Sequence, residues 1–354
     1  MTSFLIATSL LKIIGMIFVV ILPMVSYAVY AERRVSALIQ DRLGPNRVGP
    51  SGLFQPIADA AKFVFKEDFT PATVNTFYYW LAPALAMVPA ITTIAVIPFG
   101  STLFGVPMVI ADVNVGILYI FAIASLGVYG IVLAGWASNS KYPFLGGIRS
   151  SSQMISYELS LALAVIPIFL VVGNLRLTSV VRYQIEQGWM IAPFIGNWTS
   201  LAKWLLAIPM LISFFVFMIA VFAETNRLPF DLPEAEQELA GGYHTEYSSM
   251  KFALFFLGEY AAMITGSAII VTLFFGGWHL PGVPDGSHGW FFGLINLAVF
   301  FAKVAVLLFF FMWVRWTLPR FRYDQLMRLG WLFFFEIALV NIFLVAGILA
   351  YYPL

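Results

Sequence analysis

Eight stretches of the chain are apolar on every side, without a polar face. They cover residues 10–31, 77–99, 115–136, 154–172, 201–223, 252–275, 290–313 and 331–350. A helix needs about 20 mainly apolar residues to cross the hydrocarbon core of a bilayer, so each stretch predicts a membrane-spanning helix. Polar and apolar residues do not alternate along them, which argues against the strands of a membrane barrel. The fourth stretch is the shortest and holds Pro167, which a membrane helix tolerates when its neighbours satisfy the freed carbonyl. The first lacks the short apolar core and small-residue cleavage site of a signal peptide, so it is expected to be a retained helix. The predicted fold class is therefore an all-α membrane protein of eight transmembrane helices, organised as one integral membrane domain over residues 1–354.

Two polar inserts interrupt this pattern, at 32–76 and 224–251. The first opens with Glu32, Arg33 and Arg34, where the first span meets water. Such residues either end a helix and reach for the surface or form ion pairs across a polar cavity, and periodicity leaves both readings open. Gly44-Pro45-Asn46 and Gly49-Pro50 are turn chemistry, so the chain bends here. From Leu53 a helical pattern returns. Leu53, Phe54, Ile57, Ala61, Val64 and Phe65 recur on one side, and Asp59, Lys62 and Lys66 on the other. This predicts an amphipathic helix lying in the membrane interface after span 1. It serves as an anchor for the next span, or as the lip of an opening through which a lipid-soluble ligand passes, and the two roles are compatible.

The second insert is acidic. Glu224, Asp231, Glu234, Glu236, Glu238 and Glu246 face only Arg227 and Lys251. Pro229 and Pro233 prevent a continuous helix. If a helix resumes after Pro233, Glu234 and Glu238 share one face, a mildly unfavourable like-charge spacing. The insert is either a solvated loop for a basic partner or a cluster whose crowding lifts carboxylate pKa values toward neutrality and makes protons exchangeable.

Composition agrees with the pattern. The chain is 61% hydrophobic and 10% charged, with mean hydropathy +0.90, where a soluble domain is roughly 25% charged. Of its 19 Lys and Arg, 14 fall in the loops after spans 1, 3, 5 and 7. The positive-inside rule then puts both inserts in the cytoplasm and both termini outside. Glu158, Glu224, Glu259 and Glu336 fall in the cytoplasmic half of four different spans, at a depth where ionisable groups are costly and mark polar routes. Each also has the bland reading of a hydrogen bond to a bundle neighbour. Lys303, inside span 7, is a possible counter-charge. The absence of cysteine removes disulfides and Cys-ligated iron–sulfur clusters, and the three histidines all fall in loops, so no His pair is placed to hold a haem in the bilayer. No phosphate-binding glycine loop is present, and no metal site is expected in the chain. The net charge of +1 argues neither for nor against nucleic acid, and none is expected as a partner. No internal repeat is visible, which counts against an inverted-repeat transporter.

Several long segments are recognisable together and in order. They are Ala31-Glu32-Arg33-Arg34, Arg42-Leu43-Gly44-Pro45-Asn46-Arg47-Val48-Gly49-Pro50, Ser156-Tyr157-Glu158, Ala223-Glu224-Thr225-Asn226-Arg227, Pro229-Phe230-Asp231-Leu232-Pro233-Glu234-Ala235-Glu236 and Pro319-Arg320-Phe321-Arg322-Tyr323-Asp324-Gln325-Leu326. They closely resemble the H-subunit (subunit 1) family of respiratory complex I, the proton-pumping NADH:quinone oxidoreductase. The resemblance implies a multi-pass protein of the bacterial inner membrane, at the junction of membrane and peripheral arms. Its partners would be the peripheral-arm quinone-site and iron–sulfur subunits, the neighbouring membrane-arm subunits and the lipid bilayer. Quinone would be its substrate, while FMN and the iron–sulfur clusters would sit in partner subunits, leaving no catalytic redox residue in this chain. Carried over by motif, Glu32, Arg33, Asp59, Lys62, Lys66 and Arg227 would line the quinone doorway and tunnel. Asp231, Glu234, Glu236, Glu238 and Glu246, followed by Glu224, Glu158 and Glu259, would form the acidic path that couples quinone reduction to proton translocation. Arg315 and Arg320 would balance charge near the partner interface. Glu336 departs from the family pattern: it either adds to the acidic path or bonds a polar neighbour such as Asn341 or Lys303.

Two other functions fit less of the chain. A homologous subunit of a membrane-bound hydrogenase or formate-oxidising complex need not bind quinone, and the intact first insert speaks for the quinone enzyme. A stand-alone antiporter would need charged residues at mid-membrane in broken helices of both halves, and no such pair is seen.

Overall fold

Among the described residues, eight helices are long and apolar enough to cross a membrane: Ala7–Ile39, Thr76–Val96, Gly116–Ala137, Lys141–Val172, Lys203–Glu224, Ser249–Phe274, Trp290–Thr317 and Tyr323–Tyr351, called spans 1 to 8. The computed structural model describes residues 2–192 and 201–352, without the side chains of 2–6, 201, 202, 236 and 237. The chain is a multi-pass membrane protein with almost no sheet. Lipid leaves no partner for an open backbone, so helices that satisfy their own N–H and C=O groups are the available solution.

The number and order of spans match the apolar pattern, but several bounds do not. Span 1 runs on to Ile39, so Glu32, Arg33 and Arg34 belong to its last turns rather than to a loop. Span 4 begins at Lys141, which makes the shortest apolar stretch one of the longest helices and places Glu158 in its middle. Spans 7 and 8 extend to Thr317 and back to Tyr323, which brings Arg315 into a helix. In each case helical hydrogen bonding continues past the point where the apolar residues stop.

Spans 5 and 6 are the most deeply buried, while spans 1 and 8 expose one side. Aromatic rings fill the space between spans 5, 6 and 7. Phe222 stacks on Phe311 at 3.9 Å, and Phe214 meets Phe274 edge-on at 5.4 Å. Spans 2 and 3 approach closely where Gly130 faces Ala86; a Cβ at Gly130 would fall 2.6 Å from the Ala86 nitrogen. Small residues let membrane helices come this near. At the other end of the bundle from the inserts, Lys12 Nζ reaches Pro107 O and Val109 O at 2.8 and 2.9 Å and holds a short hairpin, Thr102–Leu103 with Val106–Pro107, against span 1.

Lys303 lies at this same end. Its ammonium donates to Phe275 O, Gly277 O and His279 O, at 2.7, 3.0 and 2.6 Å, around the C-terminus of span 6. It is therefore not a counter-charge to the carboxylates. It satisfies carbonyls that the helix end leaves open and meets the negative end of the helix dipole.

After span 1 the chain turns and forms the helix Gln55–Phe65, with Pro56 in its first turn. No residue of this helix is buried, and Ile57, Val64 and Phe65 are exposed. In the second insert the helix that resumes is only Glu236–Leu239. Glu234 precedes it, so Glu234 and Glu238 do not share a face. The chain then reverses at Gly242, whose φ of +65° suits glycine. A Cβ there would collide with the Pro233 carbonyl at 1.7 Å.

Candidate functional site

Four charged side chains meet where spans 1, 6 and 7 reach the start of the second insert. Span 5 ends at Glu224, and the turn that follows directs Arg227 back into the bundle, where its side chain is 4% exposed. Its Nη1 donates to Glu32 Oε2 at 3.3 Å. Its Nε lies 2.7 Å from Glu259 Oε1, a charge contact without hydrogen-bond alignment. The guanidinium carbon stands 4.2 Å above the centre of the Tyr260 ring. Glu32 also accepts from Tyr260 Oη at 2.7 Å and from Arg315 Nη1. Burial alone would lower the Arg227 pKa, but Glu259, Tyr260 and Glu32 more than offset it and hold the pKa well above the ordinary value. Two carboxylates and two guanidiniums thus offset one another's desolvation cost.

Beyond this node the acidic insert makes smaller pairs. Arg320 Nη2 donates to Asp231 Oδ2 at 2.9 Å. Burial and the nearby charge of Glu234 still outweigh Arg320, and the Asp231 pKa is raised to about 6. Glu234 goes the other way: burial lifts its pKa, but His244, Arg227 and Tyr243 outweigh burial and the net shift is downward. Tyr243 Oη donates to Glu234 Oε1 at 3.1 Å, and its own pKa is pushed far up, first by burial and then by Glu234. Two neighbouring carboxylates are thereby set apart, Glu234 shifted downward and Asp231 raised to about 6.

A cavity of about 110 Å³ lies between spans 2, 3, 5 and 6. Glu224, Thr225, Asn226, Tyr243 and Glu259 line its polar side, while Phe121, Phe217 and Ile269 are among its apolar walls. This is room for several waters beside polar partners. Glu158 lies within electrostatic reach of Glu224. Gln153 on span 4, fully buried, donates to Ala223 O and Phe230 O, both at 2.8 Å, and fixes the end of span 5 and the start of the insert.

The expected residues separate into groups. Glu32, Arg227, Glu259 and Arg315 come together, and Glu224 joins Glu259 across the cavity. Asp231 and Arg320 pair. Arg33 pairs instead with Asp59 on the surface helix, at 2.6 Å and partly exposed. Lys62 and Lys66 are exposed and make no ion pair among the described residues. Glu238 is 54% exposed and pairs with Arg149 at 2.6 Å, away from the node. Glu246 is half-buried, and its backbone carbonyl accepts from Tyr79 Oη at 2.7 Å. The side chain of Glu236 lies outside the described residues. Glu336 is exposed on the outer face of span 8. Neither proposed neighbour binds it, since Asn341 donates to Pro209 O and Ser213 Oγ and Lys303 is engaged at the other end of the bundle.

Sequence reasoning missed Tyr260, Tyr243, His244 and Gln153. A polar residue within an apolar span is the signal that could have found Tyr260, and Gln153 sits one position before the fourth apolar stretch, inside the helix that begins at Lys141. The other two lie in an insert whose readings rested on its carboxylates alone.

These features define a class: a polytopic membrane protein with a buried ion-pair node at one end of the bundle and a polar cavity beside it. The model of the NADH dehydrogenase family matches residues 11–346. The chain is 49% identical over 340 residues to H subunit 1 of the NADH-quinone oxidoreductase of Geobacter metallireducens, covering 95% of each chain. It is 52% identical over 329 residues to the corresponding H subunit of Rhodospirillum centenum, covering 93% of this chain and 90% of the other. With the H subunit of Rickettsia prowazekii it shares 52% over 330 residues, 92% of this chain and 89% of the other. The chain belongs to the NADH dehydrogenase family, among the membrane-embedded H subunits of NADH-quinone oxidoreductase.

Proposed function

We propose that this chain admits quinone from the bilayer into NADH-quinone oxidoreductase and passes the consequence of quinone reduction to proton translocation. The observation that carries the reading is the node of Glu32, Arg227, Glu259 and Arg315. It joins the end of span 1, which leads into the surface helix, to a cavity holding Glu224.

The surface helix, with its unpartnered apolar side, is the lip of the doorway, beside spans 1 and 6. Arg33 and Asp59 tie that lip to span 1, and Lys62 and Lys66 lie on its polar side. Electrons come from carriers in partner subunits, FMN and iron–sulfur clusters, and converting quinone to quinol takes up protons with them. That uptake changes charge beside Asp231, Glu234 and Arg320. Their pairing then shifts, the node re-partitions between Glu32 and Glu259, and the proton occupancy of Glu259, Glu224 and Glu158 follows. Glu236, Glu238 and Glu246 extend the acidic path along the insert. The inserts face the cytoplasm of a bacterial inner membrane and the termini face outward, the side on which the positive-inside rule places them.

Replacing Glu224 by Gln keeps its size and hydrogen-bonding shape but removes the titrating group. In assembled complex, Glu224→Gln is expected to cut NADH-driven quinone reduction severalfold and leave NADH oxidation by hexacyanoferrate unchanged. Equal loss of both activities overturns the reading.

A further inference from the structure

The surface helix contributes no buried side chain, and at its far end Phe63 meets Phe252 of span 6 with ring centres 6.4 Å apart. Beside that contact, a set of polar ties from the first turn of span 6 holds the same end. Ser249 Oγ shares its hydrogen between Phe63 O and Lys66 O, each at 3.0 Å. These carbonyls stand at the C-terminus of the surface helix, where backbone acceptors lack partners. Two residues on, Lys251 Nζ lies 3.1 Å from Asp68 Oδ1 and donates to Thr70 Oγ1 at 2.8 Å. It also sits 3.9 Å from the centre of the Trp80 ring and 5.0 Å from that of Tyr79. Its side chain is only 4% exposed.

Helix stability does not explain this lysine. It lies in the first turn of span 6, the end of a helix where a positive charge is unfavourable. Asp68, Thr70 and two ring faces offset that position and its burial. Ser249 adopts φ +53°, a left-handed conformation uncommon for serine, and it is this residue that reaches the surface helix. Because span 6 starts at Ser249, the loop part of the acidic insert ends immediately before them. Its last residues are anchored as well, since Tyr247 stacks on Tyr79 with ring centres 4.2 Å apart.

Resting on the functional reading above, we propose that Ser249 and Lys251 are positioning residues for the quinone doorway: they latch the far end of the surface helix to the point where the acidic insert becomes span 6. The lip and the insert then move together, and a change of charge in the insert is felt at the doorway. The latch touches no quinone, so its effect falls on passage of the tail more than on the headgroup chemistry.

The test uses assembled complex in membranes, with a long-tailed quinone and a short-tailed analogue. Lys251→Met and Asp68→Asn are each expected to raise KM for the long-tailed quinone by about fivefold, the size of effect that a partly desolvated ion pair and cation–π contact supply. KM for the short-tailed analogue, kcat and NADH oxidation by hexacyanoferrate stay within about twofold, a split a general loss of fold does not produce. The double variant is no worse than the more affected single one, because both remove one tie. Lys251→Arg keeps the long-tailed KM near that of the unaltered chain. If Lys251→Met fails to assemble, Ser249→Ala, which loses only one hydroxyl, gives the same split at smaller size. An unchanged long-tailed KM in assembled variants, or equal effects on both quinones, overturns the latch. Absence of quinone reduction in the unaltered complex overturns the functional reading instead.

Discussion

Arg227 and Glu259 meet 2.7 Å apart with side chains 4% and 10% exposed, the closest contact between the second insert and span 6 at the node. The same guanidinium reaches Glu32 on span 1. One side chain therefore bridges two buried carboxylates on helices far apart in the chain, with Arg315 as the second cation beside Glu32.

Removing Arg227 should cost more than any other substitution in the node. Arg227→Met leaves Glu32 and Glu259 buried with only Arg315 nearby, and an uncompensated buried charge costs about 3 kcal/mol or more. The expected outcome is a large drop in assembled complex on native gels. Arg227→Lys retains the charge but cannot serve Glu32 and Glu259 in fork geometry, and its quinone reductase activity per assembled complex is expected to fall about tenfold, a change of ~1.4 kcal/mol.

Asp231 predicts a pH dependence with a definite sign. Folding raises its pKa to about 6, above the aspartate reference of roughly 3.9. Its contribution to stability is therefore fully present below the reference value and is lost as pH rises through about 6. Glu234, shifted downward, contributes in the opposite sense and loses its contribution only in stronger acid. Thermal denaturation of detergent-purified complex between about pH 4 and about pH 6 should show a fall that Asp231→Asn reduces. The same substitution should remove an inflection near pH 6 from the rate profile.

Lys303 offers a control from the opposite end of the bundle. Lys303→Met leaves three carbonyls at the end of span 6 without their donor, at a cost of roughly 1 to 3 kcal/mol. The thermal midpoint should fall, while KM for quinone in surviving complex stays unchanged. A changed quinone KM would restore the reading of Lys303 as a counter-charge to the carboxylates.

Much of the site is legible in the chain alone. Glu32, Arg227, Glu224 and Glu259 announce themselves as charges in or beside apolar helices, and such charges need partners. The surface helix follows from the spacing of Leu53, Ile57, Ala61 and Val64. Partner choice is not legible. Glu32 pairs with Arg227, 195 positions away, while the adjacent Arg33 turns to Asp59. Lys303 resembles a counter-charge because its depth in the chain is readable but its direction is not. Lys251 resembles one base of a charged loop until Asp68, Thr70, Tyr79 and Trp80 close around it.

The sequence by itself determined that eight helices cross the membrane, that two polar inserts gather most of the charge, and which residue types could titrate. These are properties of segments, since the requirement to satisfy the backbone in lipid acts on each helix separately. The tertiary structure alone decided which charges are paired, which carboxylate of the insert lies near neutrality and which end of span 6 a lysine serves. Electrostatic energy depends on distance and on the surrounding dielectric, and both are set only when helices distant in the chain pack against one another.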